Sequence, residues 1–174
     1  GEGEETRDEG TMETVGFVGV GKIGLPICEN LIKSGRKVIG YRRSSLDEFR
    51  KLGGIPASSP KDLAAQVDII FTCLPSDEAL DQVICGPDGI LSAVKPGQIV
   101  VEFGSHAVPV KEKYVGILAD AGAIFIDGEV SGTPGMVAAR KAAIYLAGNA
   151  NAAKSLEPVI AGFADLCLYL GAFG

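Results

Sequence analysis

The sequence predicts an α/β fold with a doubly wound, mostly parallel sheet, on three observations. A short apolar run (Val15, Phe17, Val18) leads into a glycine-rich turn and then a helical pattern. Strand and helix patterns alternate from there on, joined by connections of a few residues. One run, residues 67–74 (VDIIFTCL), is apolar nearly throughout, which suits a parallel strand covered on both faces.

The first strand, turn and helix carry the most information. Gly19 lets the chain reverse at the strand end, Gly21 has no Cβ to hold the backbone away from a pyrophosphate, and Gly24 lets the helix pack closely on the strand. The helix is expected to begin at about Lys22, with its free N–H groups and positive dipole end aimed at an anion. With 24 glycines in the chain, a lone GxGxxG spacing is weak evidence. Here it follows an apolar strand, precedes the amphipathic set Ile23, Ile27, Leu31 and Ile32, and is followed by a second strand at residues 37–41. That context makes it a nucleotide-binding Rossmann unit.

The end of the second strand selects the nucleotide. A carboxylate about 20 residues beyond the first glycine would read a free ribose 2′-OH, whereas Arg suits a 2′-phosphate. This chain carries Tyr41-Arg42-Arg43-Ser44, with no acidic residue until Asp47. Two guanidiniums and a hydroxyl can hold a phosphate dianion by charge-assisted bonds, so NADP(H) is expected over NAD(H).

Short helices are expected at residues 46–52 and 60–66, and after the strand at 67–74 Ser76 can cap a helix at 77–84. A brief helix to Val94 and a Lys95-Pro96-Gly97 turn lead to a strand at 98–103, which ends in Gly104-Ser105-His106. A helix at 109–121 and a strand at 123–127 follow, then Gly128-Glu129-Val130-Ser131-Gly132-Thr133-Pro134-Gly135. A strand at 142–147, a helix at 151–161 and a strand at 164–170 complete the pattern. Ligands of open α/β sheets sit beyond the carboxyl ends of the strands, which places Leu74-Pro75 and Gly104-Ser105 beside the cofactor.

A chain of 174 residues, 47% apolar, fits one domain with a full core. Residues 1–12 read as a flexible acidic tail and 13–174 as the nucleotide-binding domain. No apolar run approaches the roughly 18 residues of a membrane span, and the tail lacks a signal-peptide core, so a cytoplasmic protein is expected. A net charge of −6 argues against nucleic acid as a partner. Cys28, Cys73, Cys85 and Cys167 are widely spaced and there is a single His, so no metal site is expected, and the cysteines read as reduced, mostly buried thiols.

From about Thr14 onward the motifs resemble the β-hydroxyacid dehydrogenase family, which includes 3-hydroxyisobutyrate dehydrogenases and the cofactor domain of 6-phosphogluconate dehydrogenase. The matching stretches are GFVGVGKIGLPICENLIKSG, YRRSS where the family often has Asn-Arg-Thr, CLP at the third-strand loop, and IDGEVSGTPG where the family has Asp-x-Pro-Val-Ser-Gly-Gly. The resemblance implies that Gly19, Gly21, Lys22, Ile23 and Gly24 bind pyrophosphate. Arg43 and Ser44, assisted by Arg42, would bind the 2′-phosphate. Leu74 and Pro75 would pack on the ribose and Ser105 would sit near the nicotinamide. Ser131, Gly132 and Thr133 would hold the carboxylate of a small-molecule substrate. A homo-oligomer is implied for the full-length protein.

The chain departs from the family at Glu129, where Pro is usual, and at Thr133, where Gly is usual. Phe103 and Gly104 replace an acidic and hydrophobic pair, and His106 falls near a family Thr. Glu129 either points away from an anionic substrate or signals a different one. The resemblance places the general acid, a Lys in Gly-x-Gly-x-x-x-Lys, beyond Gly174, on the helical domain that follows. No catalytic residue is therefore expected here, and the chain alone is expected to be inactive. His106 is the one other acid–base candidate, and most histidines so placed simply line a loop. For Ser131 the competing role is the N-cap of a helix starting near Pro134. Two functional classes follow: the cofactor domain of an NADP-dependent oxidoreductase, with imine reductases as a fainter likeness, or a non-catalytic NADP-binding or interaction module.

Overall fold

The computed structural model describes residues 14–173. The acidic tail expected at residues 1–12 lies outside the described residues. The chain forms β1 (Thr14–Val18), α1 (Gly24–Lys33), β2 (Lys37–Tyr41), α2 (Asp47–Lys51), β3 (Ile55–Pro56), α3 (Pro60–Ala64), β4 (Ile69–Thr72) and α4 (Asp77–Cys85). A 3₁₀ turn at Ile90–Ala93 precedes β5 (Ile99–Glu102), α5 (Val108–Asp120), β6 (Ile124–Ser131), α6 (Pro134–Ala138), β7 (Ala143–Ala147), α7 (Ala150–Ile160) and β8 (Leu166–Tyr169).

Among the described residues eight strands join one sheet in the order β3-β2-β1-β4-β5-β6-β7-β8. Every pairing is parallel except β6 with β7. Strand alternation sends Phe17, Phe71, Val101 and Ile126 into one apolar layer, with Ile27 and Leu31 of α1. Val18, Ile70, Val100 and Phe125 enter the other, with Leu80 of α4 and Leu118 of α5. Parallel strands buried on both faces account for the nearly unbroken apolar runs. In the first layer Phe71 stacks on Phe103 at 5.5 Å between centroids and meets Phe163 edge-on at 5.8 Å.

Several boundaries differ from the sequence reading. Helix α1 starts at Gly24 rather than Lys22, because Lys22 and Ile23 remain in the turn. Strand β6 runs on to Ser131 instead of stopping at Asp127, since Gly128 to Ser131 pair antiparallel with β7. The two-residue β3 is too short for periodicity to reveal, whereas α6 begins at Pro134, where the capping argument placed a helix start. The thiols are less buried than expected: Cys28 is buried, Cys73 and Cys167 are half-buried, and Cys85, on the last turn of α4, is exposed.

Asn30 on α1 is buried and donates from Nδ2 to the carbonyls of Val137 (3.0 Å) and Ala138 (3.3 Å), tying α1 to the end of α6. Phe71 is fully buried at the junction of three rings. Phe71→Ala is expected to cost about 3–5 kcal/mol, read from the urea midpoint. A loss under about 1 kcal/mol would mean that this ring does not hold the layer together.

Candidate functional site

β1 and β4 lie side by side although the chain visits β2 and β3 between them, so the connections diverge there and leave a crevice at the carboxyl ends. A cleft of about 1170 Å³ opens at this place. Gly19 to Gly24 form its floor, and Arg42, Arg43 and Ser44 close the side at β2. Leu74 and Pro75 line it beyond β4, Gly104 and Ser105 beyond β5, and Gly132 beyond β6. The structure thus gathers every expected cofactor residue into one cavity. Ser131 and Thr133 are exposed beside Gly132 but outside the lining.

The glycine turn has separable physical reasons. Gly19 has φ +93°, and a Cβ there would press on the backbone carbonyl of Cys73. Its N–H donates to the Tyr41 carbonyl at 2.9 Å, which ties the turn to the end of β2. A Cβ on Gly24 would come within 2.7 Å of the Phe17 ring and 3.0 Å of the Gly19 carbonyl. Gly21 is different: its nearest neighbour would be 3.9 Å away, so packing within the chain does not require glycine there. Open space on a cleft floor is what close backbone approach to a phosphate needs.

Helix α1 has no side-chain cap and no acidic residue in its first turn. Leu25 N–H donates to the Gly21 carbonyl at 2.8 Å and Pro26 has no N–H, while the amides of Lys22, Ile23 and Gly24 have no carbonyl partner among the described residues. Those free donors, at the positive end of the helix dipole, suit a pyrophosphate.

The arginines divide their work. Arg42 donates from Nε to the Ser45 carbonyl (2.6 Å) and from Nη1 to the Val20 carbonyl (2.8 Å), and its Nη2 lies 3.7 Å from Glu48. It is half-buried and braces the glycine turn against the β2 loop. Arg43 and Ser44 are exposed on the cleft, and Arg43 has no ion pair or hydrogen bond among the described residues.

At the far end, the N-cap of α6 is Thr133, whose hydroxyl accepts from Met136 N–H at 3.2 Å. The capping role considered for Ser131 therefore falls to Thr133, which leaves the Ser131 hydroxyl uncommitted. Glu129 is exposed on the face opposite Val130, and Val130 lines the cleft while Glu129 does not.

Sequence reasoning missed a polar row, buried at Thr72 and Glu102 and half-buried at Asp127. Register places Thr72, Glu102 and Asp127 side by side on β4, β5 and β6, on one face at the carboxyl ends. The Thr72 hydroxyl and the Gly104 N–H donate to the Glu102 carboxylate, joined by the Leu74 N–H at 3.4 Å. Lys111, buried on α5, pairs with Asp127 and donates to the Glu102 carbonyl at 3.4 Å. The His106 side chain is fully buried, with Nδ1 2.7 Å from Asp77 and Nε2 3.5 Å from Glu102. His106 does not line the cleft, so its position offers no direct contact with a reacting atom. The legible signal was a lone Glu ending the apolar run IVVE, two residues after Val100 on the same face. Among the described residues no cluster of His, Cys, Asp and Glu could hold a metal, and no helix is long and apolar enough to cross a membrane.

The family profile for the NAD binding domain of 6-phosphogluconate dehydrogenase matches residues 14–171. The mitochondrial 3-hydroxyisobutyrate dehydrogenase of Rattus norvegicus is 32% identical over 171 residues, 97% of this chain and 51% of that protein. Among solved structures, Psf3 in complex with NADP+ and 2-OPP has TM-score 0.87 at 27% identity, over 91% of this chain and 57% of the other. A Myxococcus stipitatus imine reductase variant in complex with NAD+ has TM-score 0.83 at 18% identity, over 91% and 54%, a likeness of fold alone. The chain spans about half the length of the curated relatives it matches.

The cleft and the core behind it also predict a pH response. Burial pushes the Cys73 thiol up to about 11, and burial pushes Cys28 up further still. Both groups hold their protons more tightly folded than unfolded, so their contribution to stability is complete below the ordinary thiol range and is lost as pH rises through the folded values. The thermal midpoint is expected to be flat from about pH 7 to 8.5 and to fall between about pH 9 and 11. A Cys28→Ala, Cys73→Ala double variant that falls as steeply as the wild type would show that other groups are responsible.

Proposed function

The chain belongs to the β-hydroxyacid dehydrogenase family, as a nucleotide-binding domain of the 6-phosphogluconate dehydrogenase type, and on that premise we propose that it binds NADP(H) along the cleft as the cofactor domain of an oxidoreductase. The observation that carries this reading is the pairing of an anion cradle, the free amides of Lys22, Ile23 and Gly24 beneath the open face of Gly21, with Arg43, unpartnered among the described residues, on the same cleft. From the end of β2 to the end of β5 the cleft crosses three strand spacings of about 4.8 Å each, a span that suits an extended dinucleotide. Arg43 and Ser44 would hold the adenosine 2′-phosphate, and Arg42 acts by keeping the turn in place. Leu74, Pro75 and Ser105 would flank the ribose and nicotinamide.

A nicotinamide cofactor supplies or accepts the hydride when bound; this chain binds and orients it. The other reactant we propose is a small hydroxy acid or semialdehyde with a carboxylate, held by the Ser131 hydroxyl and the backbone at Gly132, with Thr133 shaping that turn as its cap. Among the described residues Lys22 is the one lysine lining the cleft, where it sits on the pyrophosphate turn, and Lys111 is paired with Asp127. We therefore propose that the general acid comes from outside residues 14–173, and that these residues alone bind cofactor without turnover. Free thiols support a reducing compartment such as the cytoplasm. The apolar side chains of Leu166, Leu168 and Leu170, exposed along β8 and just past it, support an edge covered in a homo-oligomer of the whole protein.

Calorimetric titration tests the reading. NADPH is expected to bind at least about tenfold more tightly than NADH, a gap of about 1.4 kcal/mol. Arg43→Ala should weaken NADPH by about tenfold to a hundredfold and leave NADH unchanged. Arg42→Ala should weaken both nucleotides together, because it loosens the turn they share. Equal affinity for NADPH and NADH in the wild type would remove Arg43 from its role. Binding of neither would leave a non-catalytic interaction module as the better reading.

A further inference from the structure

The Glu102 carboxylate is fully buried, and burying a charge is costly unless hydrogen bonds replace its water. Its donors come from three places: the Thr72 hydroxyl on β4, the Leu74 N–H on the loop after β4, and the Gly104 N–H on the loop after β5. Leu74 and Gly104 both line the cleft, at the end remote from Arg43. The two loops are also interlocked sterically. A Cβ on Gly104 would strike the Glu102 carboxylate, the Leu74 carbonyl (2.5 Å) and His106 Nε2 (2.7 Å). Lys111 backs the same point from α5 by donating to the Glu102 carbonyl.

We propose that Glu102 is a positioning residue for the nicotinamide end of the cleft, one carboxylate that fixes the loops after β4 and β5 relative to each other from behind. This rests on the cofactor reading above. Glu102 touches no ligand; it sets the spacing between Leu74 and Gly104-Ser105, the two walls between which a nicotinamide ring would lie. A buried carboxylate that accepts from a strand hydroxyl and from an amide on each of two loops holds those loops in one arrangement, so the walls are set before the cofactor arrives, even though His106 Nε2 beside it makes no hydrogen bond.

The test compares NADPH with adenosine 2′,5′-bisphosphate, which carries the adenine and the 2′-phosphate but no nicotinamide, by calorimetry on the same chain. Glu102→Ala is expected to weaken NADPH about tenfold and to leave the bisphosphate within about twofold of wild type. Glu102→Gln keeps an oxygen that accepts from Leu74 and Gly104, and should recover most of the loss. Should Glu102→Ala fail to fold, Thr72→Val releases one carboxylate oxygen without emptying the site, and should weaken NADPH about threefold, again sparing the bisphosphate. Parallel loss of both ligands, or loss of neither, overturns the proposal while the cofactor reading stands. A wild-type chain that binds neither ligand overturns the cofactor reading, and this inference falls with it.

Discussion

Gly19 lies so close to β4 that a single added carbon would strike the Cys73 carbonyl, and the rest of the cleft is arranged around that approach. The contact lets β1 end in a turn pressed against its neighbour. The chain then rises directly into α1, whose first amides are left facing the crevice. Gly24 against Phe17 completes the fit by seating the helix on the strand. Gly21, with nothing near it, is the one position of the three where the missing side chain leaves room for something other than protein.

Around this turn the chain invests polar groups in rigidity. Arg42 takes two backbone carbonyls and stands near Glu48, so the turn and the β2 loop move as one piece. On the other side, Glu102 ties the loops after β4 and β5, and Asn30 ties α1 to α6 behind Ser131 and Gly132. Each of these side chains spends its hydrogen bonds on backbone or neighbouring residues. The groups left uncommitted, Arg43, Ser44, Ser131 and the amides at the start of α1, are those facing or flanking the cleft.

This division resolves the apparent conflict between an acidic chain and an anionic ligand. A net charge of −6 sets the long-range field, but a phosphate placed in the cleft would be met by a helix N-terminus and an unpaired guanidinium. Short-range directed donors outweigh a diffuse charge that salt screens within about 10 Å. Glu129 is exposed and does not line the cleft, although alternation along β6 gives it the same face as Ser131.

The doubly wound sheet, the strand–turn–helix unit and the expected cofactor residues of the cleft were legible in the sequence because each depends on local pattern; the wall contributed by Pro60, Gln82 and Asp88 was not. Apolar runs bounded by Gly and Pro mark strands, and the glycine spacing marks the turn. Other features required the fold. Whether Arg42 or Arg43 is free depends on the Val20 carbonyl lying within reach, and whether Ser131 or Thr133 caps α6 depends on how far β6 extends through its pairing with β7. The Thr72–Glu102–Asp127 row joins residues 30 and 25 positions apart through strand register. The sequence by itself determined which residues stand at or near the carboxyl ends of β1, β2, β4 and β5. Only the tertiary structure decided which of them are spent on holding the walls and which remain for a ligand, because a hydrogen bond between distant segments is set by strand order and register rather than by spacing along the chain.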